Sequence, residues 1–207
     1  MAARPDDIFP ALPADRAILL HRLHDGLLDW NQRINLVSRK DVDHLMVRHV
    51  LHSLTLAPFI HERPGHRILD VGTGGGLPGL VLAIALPDRE VVLVDSIAKK
   101  IGVVQALIDD LGLVNARAVR ARVERLPGDR PFDHVVSRAV ARTAKLLAWT
   151  RHLRHAGTHC WFLKGGDLRE ELAAVDGVER LDLQGVLGDD FDTTKCIIHQ
   201  GPGATSS

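Results

Sequence analysis

The chain has no tyrosine, two cysteines and few aromatic residues, 4% in all. That shortage speaks against a stacking platform of the kind that lets RRM sheets hold single-stranded RNA. Cys160 and Cys196 lie in apolar, strand-like runs with no C-x-x-C pair, so they read as buried thiols of a reducing compartment rather than a disulfide. No apolar run reaches the ~20 residues of a membrane span. Met1-Ala2-Ala3-Arg4-Pro5-Asp6 is not followed by a signal-peptide core, and the expected location is the cytoplasm with no membrane partner. G-x-S-x-G and G-x-x-x-x-G-K-[ST] are also missing, which leaves hydrolase and P-loop readings without a foothold. Histidines number twelve, with His49/His52 and His152/His155 at helical spacing. No carboxylate or cysteine joins either pair at ligand spacing, so no metal is expected.

Charge of either sign is in balance: 26 basic and 26 acidic residues give a formal net of zero. The distribution is uneven. Between Arg117 and Arg154 stand ten basic and three acidic residues, an excess of seven that leaves the remainder seven net negative. Either that segment carries solvated, arginine-rich faces, or it faces a phosphate backbone. A length of 207 residues and a hydrophobic fraction of 45% fit one good-sized domain with a small extension.

What the chain does have is glycine in one place. Asp70-Val71-Gly72-Thr73-Gly74-Gly75-Gly76-Leu77-Pro78-Gly79 follows the apolar run Arg67-Ile68-Leu69 and precedes Leu80-Val81-Leu82-Ala83-Ile84-Ala85-Leu86. Strand, glycine turn and helix in that order open the nucleotide site of a Rossmann-like unit. Gly74 to Gly79 fits the dinucleotide pattern G-x-G-x-x-G. Asp70 to Gly76 fits D-x-G-x-G-x-G, the loop of S-adenosylmethionine-dependent methyltransferases. An acid at the strand end suits a sulfonium and an ammonium group and would repel a pyrophosphate, which favours the second pattern. Asp70, Gly72, Thr73, Gly74, Gly76 and Leu77 are therefore candidate cofactor residues.

Further along, strands are predicted at 67–71, 90–95, 116–120, 132–137, 157–163, 180–186 and 195–199. Helices are predicted at 78–86, 97–111, 141–153 and 167–175, with a helical turn near 122–126. This alternation makes a doubly wound, mostly parallel sheet. A short turn around Gly188 to Asp192 predicts a final hairpin and an antiparallel edge strand. Before the first strand, apolar residues at helical spacing from Pro13 to Trp30 mark an amphipathic helix. Ser38 with Asp41 marks a cap, and more helix runs toward Pro58. Residues 1–10 read as a tail. The expected organisation is a helical extension over 1–65, a methyltransferase domain over 66–200 and a flexible tail over 201–207.

Asp95 closes the second strand 23 residues after Gly72, where Rossmann-type sites hold the ribose hydroxyls. Asp95 and Ser96 are candidate cofactor residues, the other reading being a helix N-cap, for which Ser96 serves equally well. Val123 and Glu124 follow the third strand, beside the expected adenine, although Glu124 also fits a surface pair with Arg120 or Arg125. Arg138 ends the fourth strand, facing either a cofactor carboxylate or a substrate phosphate, or lying along the sheet rim. Lys164 stands at the mouth of the fifth, as a phosphate ligand or as the polar start of a loop.

These strings resemble the bacterial 16S ribosomal RNA guanine-N7 methyltransferase family, also called glucose-inhibited division protein B. The likeness rests on Trp30-Asn31-Gln32-Arg33-Ile34-Asn35-Leu36, Arg48-His49, Asp70 to Gly79, Leu93-Val94-Asp95-Ser96, Ser137-Arg138-Ala139 and Leu163-Lys164-Gly165. It implies a Rossmann-like class I S-adenosylmethionine-dependent α/β fold, with a seven-stranded sheet and an N-terminal helical cap. It further implies methyl transfer to N7 of one guanine in the 530 loop, on 16S rRNA or the 30S subunit, by a protein expected to be a monomer. Cofactor contacts carry over to Gly72, Leu77, Val123, Glu124 and Arg138, with Asp95 at the ribose. RNA-side candidates are Arg48, Arg138, Arg142 and Lys164. The chain departs from the family in having His52 where Asp is usual, and in its last strand. A small-molecule methyltransferase and a non-catalytic cofactor-binding assembly factor remain the alternatives. No catalytic acid or base is assigned, because guanine N7 carries a free lone pair and no proton.

Overall fold

A computed structural model describes residues 4–187 and 194–203. Its strands are β1 (Arg67–Val71), β2 (Glu90–Asp95), β3 (Ala116–Arg120), β4 (Phe132–Arg138), β5 (Arg154–Lys164), β6 (Val178–Asp182) and β7 (Cys196–Gln200). They form one sheet in the order β3-β2-β1-β4-β5-β7-β6. The first five run parallel. Strands β1 and β2 are buried at every position after the first, because helices cover both sheet faces.

The predicted antiparallel edge strand is corrected. Strand β7 runs antiparallel to both β5 and β6, so the reversed strand lies inside the sheet and β6 forms the edge. The physical reason is burial. All five residues of Cys196–Gln200 are buried, whereas β6 exposes Glu179, Arg180 and Asp182, charges that suit an edge. The turn expected at Gly188 to Asp192 lies outside the described residues.

Helices α5 (Gly79–Ala85) and α6 (Ala98–Leu111) match their predicted spans to within a residue. Helix α6 stops at Gly112, whose φ of +64° places it in the left-handed region that ends helices. Helix α7 (Thr143–Thr150) gives way to a 3₁₀ turn at Arg151–Leu153. Helix α8 (Arg169–Leu172) is one turn, shorter than the predicted 167–175.

The N-terminal region is helical and packs on the sheet's helices. Residues 1–10 were expected to be a tail, but α1 (Pro5–Ile8) is a helical turn that buries Ile8 and Phe9. Phe9 meets the His61 ring edge-on at 5.4 Å. Helix α2 (Ala14–Arg33) extends three residues past Trp30 and buries Leu20, Leu23 and Leu27 in the cluster that includes α5 and α6. Asn31 then organises the turn: its side-chain oxygen accepts from the N–H groups of Leu36 (2.8 Å) and Val37 (3.0 Å). Ser38 occupies the cap position, but its hydroxyl donates to the Asp41 carboxylate (2.9 Å) instead of accepting a backbone N–H. A 3₁₀ segment (Arg39–His44), a π-helical segment (Met46–Leu51) and the short helices α3 (His52–Leu54) and α4 (Ala57–His61) complete the cap. A wide π turn shifts the helical register, as such turns often do at functional sites; here it carries Arg48 and His49. At the other end, the Gly203 N–H donates to the Ala156 carbonyl (3.0 Å), so the chain stays anchored through 203.

Candidate functional site

Two cavities open side by side, walled largely by residues at and beyond the carboxyl ends of the parallel strands, where open α/β sheets bind ligands. The first, about 400 Å³, lies above the glycine turn between β1 and β2. The second, about 600 Å³, lies between the N-terminal cap, β5 and the residue preceding β7. Arg138 and Ala139 belong to the walls of both.

The first cavity owes its shape to absent side chains. Gly72 has φ +67°, and a Cβ there would stand 2.6 Å from Val140 Cγ2. Gly72, Thr73, Gly74, Gly75 and Leu77 line the cavity. Gly76, expected among the ligand residues, does not. A Cβ on it would strike Leu80 Cδ1 at 2.3 Å, so its lack of side chain serves helix packing. Asp70 is likewise corrected in position. It is completely buried and lines neither cavity. Its Oδ2 accepts from Thr73 Oγ1 (2.5 Å) and the Gly79 N–H (2.9 Å), tying the loop to the start of α5. Burial raises this carboxyl to about 6, against the lowering effect of both hydrogen bonds.

Asp95 lines the cavity while bracing it. Its Oδ2 accepts from the Gly74 N–H (3.1 Å) and its Oδ1 from the Ile97 N–H (2.9 Å). Each carboxylate oxygen keeps further acceptor capacity. Ser96, Val123 and Glu124 also line this cavity. The 3₁₀ turn Val123–Arg125 after β3 buries Val123 and leaves Glu124 exposed.

Arg138 ends β4 and donates through Nη1 to His49 Nδ1 (2.8 Å). The arginine has no lone pair to offer, so His49 accepts at Nδ1 and its proton sits on Nε2. Burial, then the Arg138 charge, holds His49 down at about 4. Burial draws Arg138 down to about 10, which leaves it cationic at neutral pH. Ala139 follows with φ +54°, a left-handed conformation that costs a non-glycine residue and tends to occur at functional sites.

The second cavity gathers cations. Arg48 reaches Asp41 at 3.1 Å, and Lys164 reaches Glu171 at 3.0 Å as well as the Ala141 carbonyl. With Arg138 and Lys195, four cationic side chains face two carboxylates. Burial, then Arg138 and Lys195, lowers His52 to about 3, so both histidines are neutral near pH 7. Of the RNA-side candidates, Arg48 and Lys164 join Arg138 here, whereas Arg142 is exposed and lines neither cavity. It sits at the extended residue before α7, where its carbonyl accepts from Lys145 and Leu146.

Sequence reasoning missed Lys195 entirely and assigned His49 and His52 no role on the ligand side. Lys195 comes into the site because Cys196 pairs with Lys164 across β7 and β5; its Nζ would lie 2.8 Å from a Cβ on Gly165. Leu36, Gly75, Lys100, Arg122 and Trp149 are further wall residues of the first cavity. Leu36 had a signal in Asn31, whose side chain holds that turn in place. Among the described residues, no group of three or more potential ligands is placed to hold a metal.

Strand order, glycine turn and cavity placement are those of the Rossmann-like methyltransferase fold. A methyltransferase from Geobacter sulfurreducens superposes with a TM-score of 0.62 at 12% identity, over 87% of this chain and 90% of that one. A putative O-methyltransferase from Klebsiella pneumoniae gives 0.59 at 18% identity, over the same shares. At the level of family, the description "rRNA small subunit methyltransferase G" matches residues 17–186. The ribosomal RNA small subunit methyltransferase G of Flavobacterium johnsoniae is 43% identical over 177 residues, 83% of this chain and 84% of that protein. Its counterpart from Christiangramia forsetii is 42% identical over 199 residues, 92% of each. The chain belongs to the rRNA small subunit methyltransferase G family.

Proposed function

We propose that the protein methylates N7 of a guanine in the 530 loop of 16S rRNA, using S-adenosylmethionine, as a cytoplasmic monomer acting on the small ribosomal subunit. The observation that carries the reading is the meeting of two unlike cavities at Arg138 and Ala139. One is glycine-floored and of nucleoside size, with Asp95 and Glu124 beside Lys100 and Arg122 in its walls; the other sets four cations against two carboxylates. Residues 66–200 form the methyltransferase domain in this reading, and residues 1–65 supply Arg48, His49 and His52 from the cap.

The residues present fit a sulfonium nucleoside. The turn at Gly72 and Gly74 lets the ligand approach main chain, and Asp95 offers acceptors to ribose hydroxyls. Val123 and Glu124 border the base, with Leu77 and Ser96 in the surrounding wall. The cofactor, when bound, supplies an electrophilic methyl group. This chain's own contribution is orientation: Arg138, Arg48, Lys164 and Lys195 hold phosphates so that N7 points at the methyl along the bond being broken. No side chain needs to remove a proton, because N7 has none. N7 lies on the major-groove edge, which is too deep and narrow to read in A-form RNA, so the guanine enters from a loop or is extruded.

Incubation with labelled S-adenosylmethionine and 30S subunits lacking the mark tests the proposal. The expected result is label at the 530-loop guanine; label elsewhere or none overturns it.

A further inference from the structure

Among the described residues, strand β3 is an edge of the sheet and one side of its backbone has no strand partner. Arg117 and Arg120 stand on it, and Arg122 and Arg125 stand in the turn that follows; all four are exposed. Glu124 is the only acid between residues 117 and 125. Arg117 approaches Glu90 at 3.5 Å. Among the described residues, Arg120, Arg122 and Arg125 have no carboxylate within 4.0 Å.

Charge on an edge strand keeps other strands from pairing with it. That purpose is served by either sign and by neutralised pairs. Three neighbouring guanidinium groups without carboxylates, on a chain of zero net charge, instead make a surface that attracts an anion. The run also leads to the site. Ala121, Arg122 and Val123 line the first cavity, and Lys100 from α6 stands at the same wall. Arg117 and Arg120 lie about 10 Å apart along the strand and, three residues apart, on its opposite faces, so they flank the sheet edge; β3 lies three strand spacings, about 14 Å, from β4 and Arg138. One folded RNA element can therefore touch both.

We propose that the exposed arginines of the β3 edge are a docking track for the sugar-phosphate backbone flanking the target nucleotide, outside the pocket that receives the guanine. The inference rests on the RNA reading above and adds a second, sequence-independent contact to it. Phosphate contacts of this kind set register and orientation without reading bases.

The test is the triple variant R117Q/R120Q/R125Q, three exposed positions outside both cavities, assayed on 30S subunits lacking the mark. The slope of log Kd against log salt is expected to become shallower by about 2 to 3, and KM for 30S to rise about tenfold near 0.1 M salt. The kcat at saturating 30S and the affinity for S-adenosylhomocysteine by calorimetry stay unchanged. Lysine at the same three positions restores most of the slope, because the contact reads charge. An unchanged slope and KM in the glutamine variant overturns the docking track and leaves the proposed function standing. So does a loss of S-adenosylhomocysteine affinity, which would assign these arginines to the cofactor. A wild-type protein that neither binds nor methylates 30S overturns the proposed function itself.

Discussion

The two cavities are built by opposite means. The first has a main-chain floor, one continuous turn from Gly72 to Leu77 braced by Asp95 through backbone N–H groups, under walls that include Leu36, Lys100, Arg122, Glu124 and Trp149. The second is mostly side chain, with Arg48, Arg138, Lys164 and Lys195 arriving from four separate segments and partly balanced by Asp41 and Glu171. A backbone-built site tolerates few changes of shape but depends little on any one charge. A side-chain-built site spreads its function over several cations, and each should be individually dispensable to a degree.

The largest effect should come from breaking the first cavity at its tightest point. Gly72→Val places a branched side chain at φ +67°, where Cβ alone would stand 2.6 Å from Val140. The left-handed conformation costs about 1–2 kcal/mol before any clash. The variant should give no heat on titration with millimolar S-adenosylhomocysteine. A retained affinity would mean the loop can move aside, and the contrast between the cavities would fail.

Next in size is Arg138→Ala, at the junction. A hydrogen bond from a charged group contributes about 1.5–3 kcal/mol, so kcat/KM should fall by roughly 10- to 150-fold. The His49 ring loses its donor as well. Rapid-quench turnover on 30S measures the chemical step, and a loss confined to S-adenosylhomocysteine affinity would place Arg138 in the first cavity alone. Smaller again is Lys195→Gln, one cation among four: KM for 30S should rise by about fivefold, a single phosphate contact, with cofactor affinity unchanged. A loss as large as that of Arg138→Ala would show that the second cavity does not share its load.

The same contrast explains what was legible in the chain. Strands β1 and β2 read to the residue because strands buried on both faces are plain apolar runs punctuated by helices, whereas β3, half-exposed at the edge, read to the residue from its place after helix α6. The glycine turn is contiguous and therefore visible, apart from the role of Asp70. A strand-end acid has the same spacing whether it faces a ligand or ties down the loop, and only the bonds to Thr73 and Gly79 decide. The second cavity depends on strand order. Nothing in Lys195-Cys196-Ile197-Ile198-His199 distinguishes an edge strand from one inserted between β5 and β6, so Lys195 stayed invisible until Cys196 paired with Lys164. Arg142 was misplaced for a related reason. It lies only four residues beyond Arg138, but the chain turns at Ala139 and leaves it outside both cavities.

The smallest expected effect is none at all, and it separates orientation from proton transfer. His49 and His52 are the titratable groups nearest Arg138 that resemble a general base. Their folded values, about 4 and about 3, lie below the unfolded value near 6.5. Both are neutral from pH 7 upward, and neither changes charge between pH 7 and 9, where Arg138, at about 10, remains largely protonated. The kcat on saturating 30S should be flat across that interval. A limb with a slope of one would identify a base and sink the lone-pair mechanism. Below pH 6.5 the expected change is in stability rather than rate. A group with a depressed folded pKa takes up protons in the unfolded chain first, so stability present above 6.5 is lost as pH falls toward 4. His134 and His199, both lowered to about 4 by burial, act in the same direction. Asp70, raised to about 6, acts oppositely and gains stability on acidification. His159, also lowered by burial, makes five groups against one, so the melting temperature should decline from pH 6.5 to 4.5. Asp70→Asn should steepen that decline by removing the single opposing group, and a shallower decline in the variant would reverse the assignment.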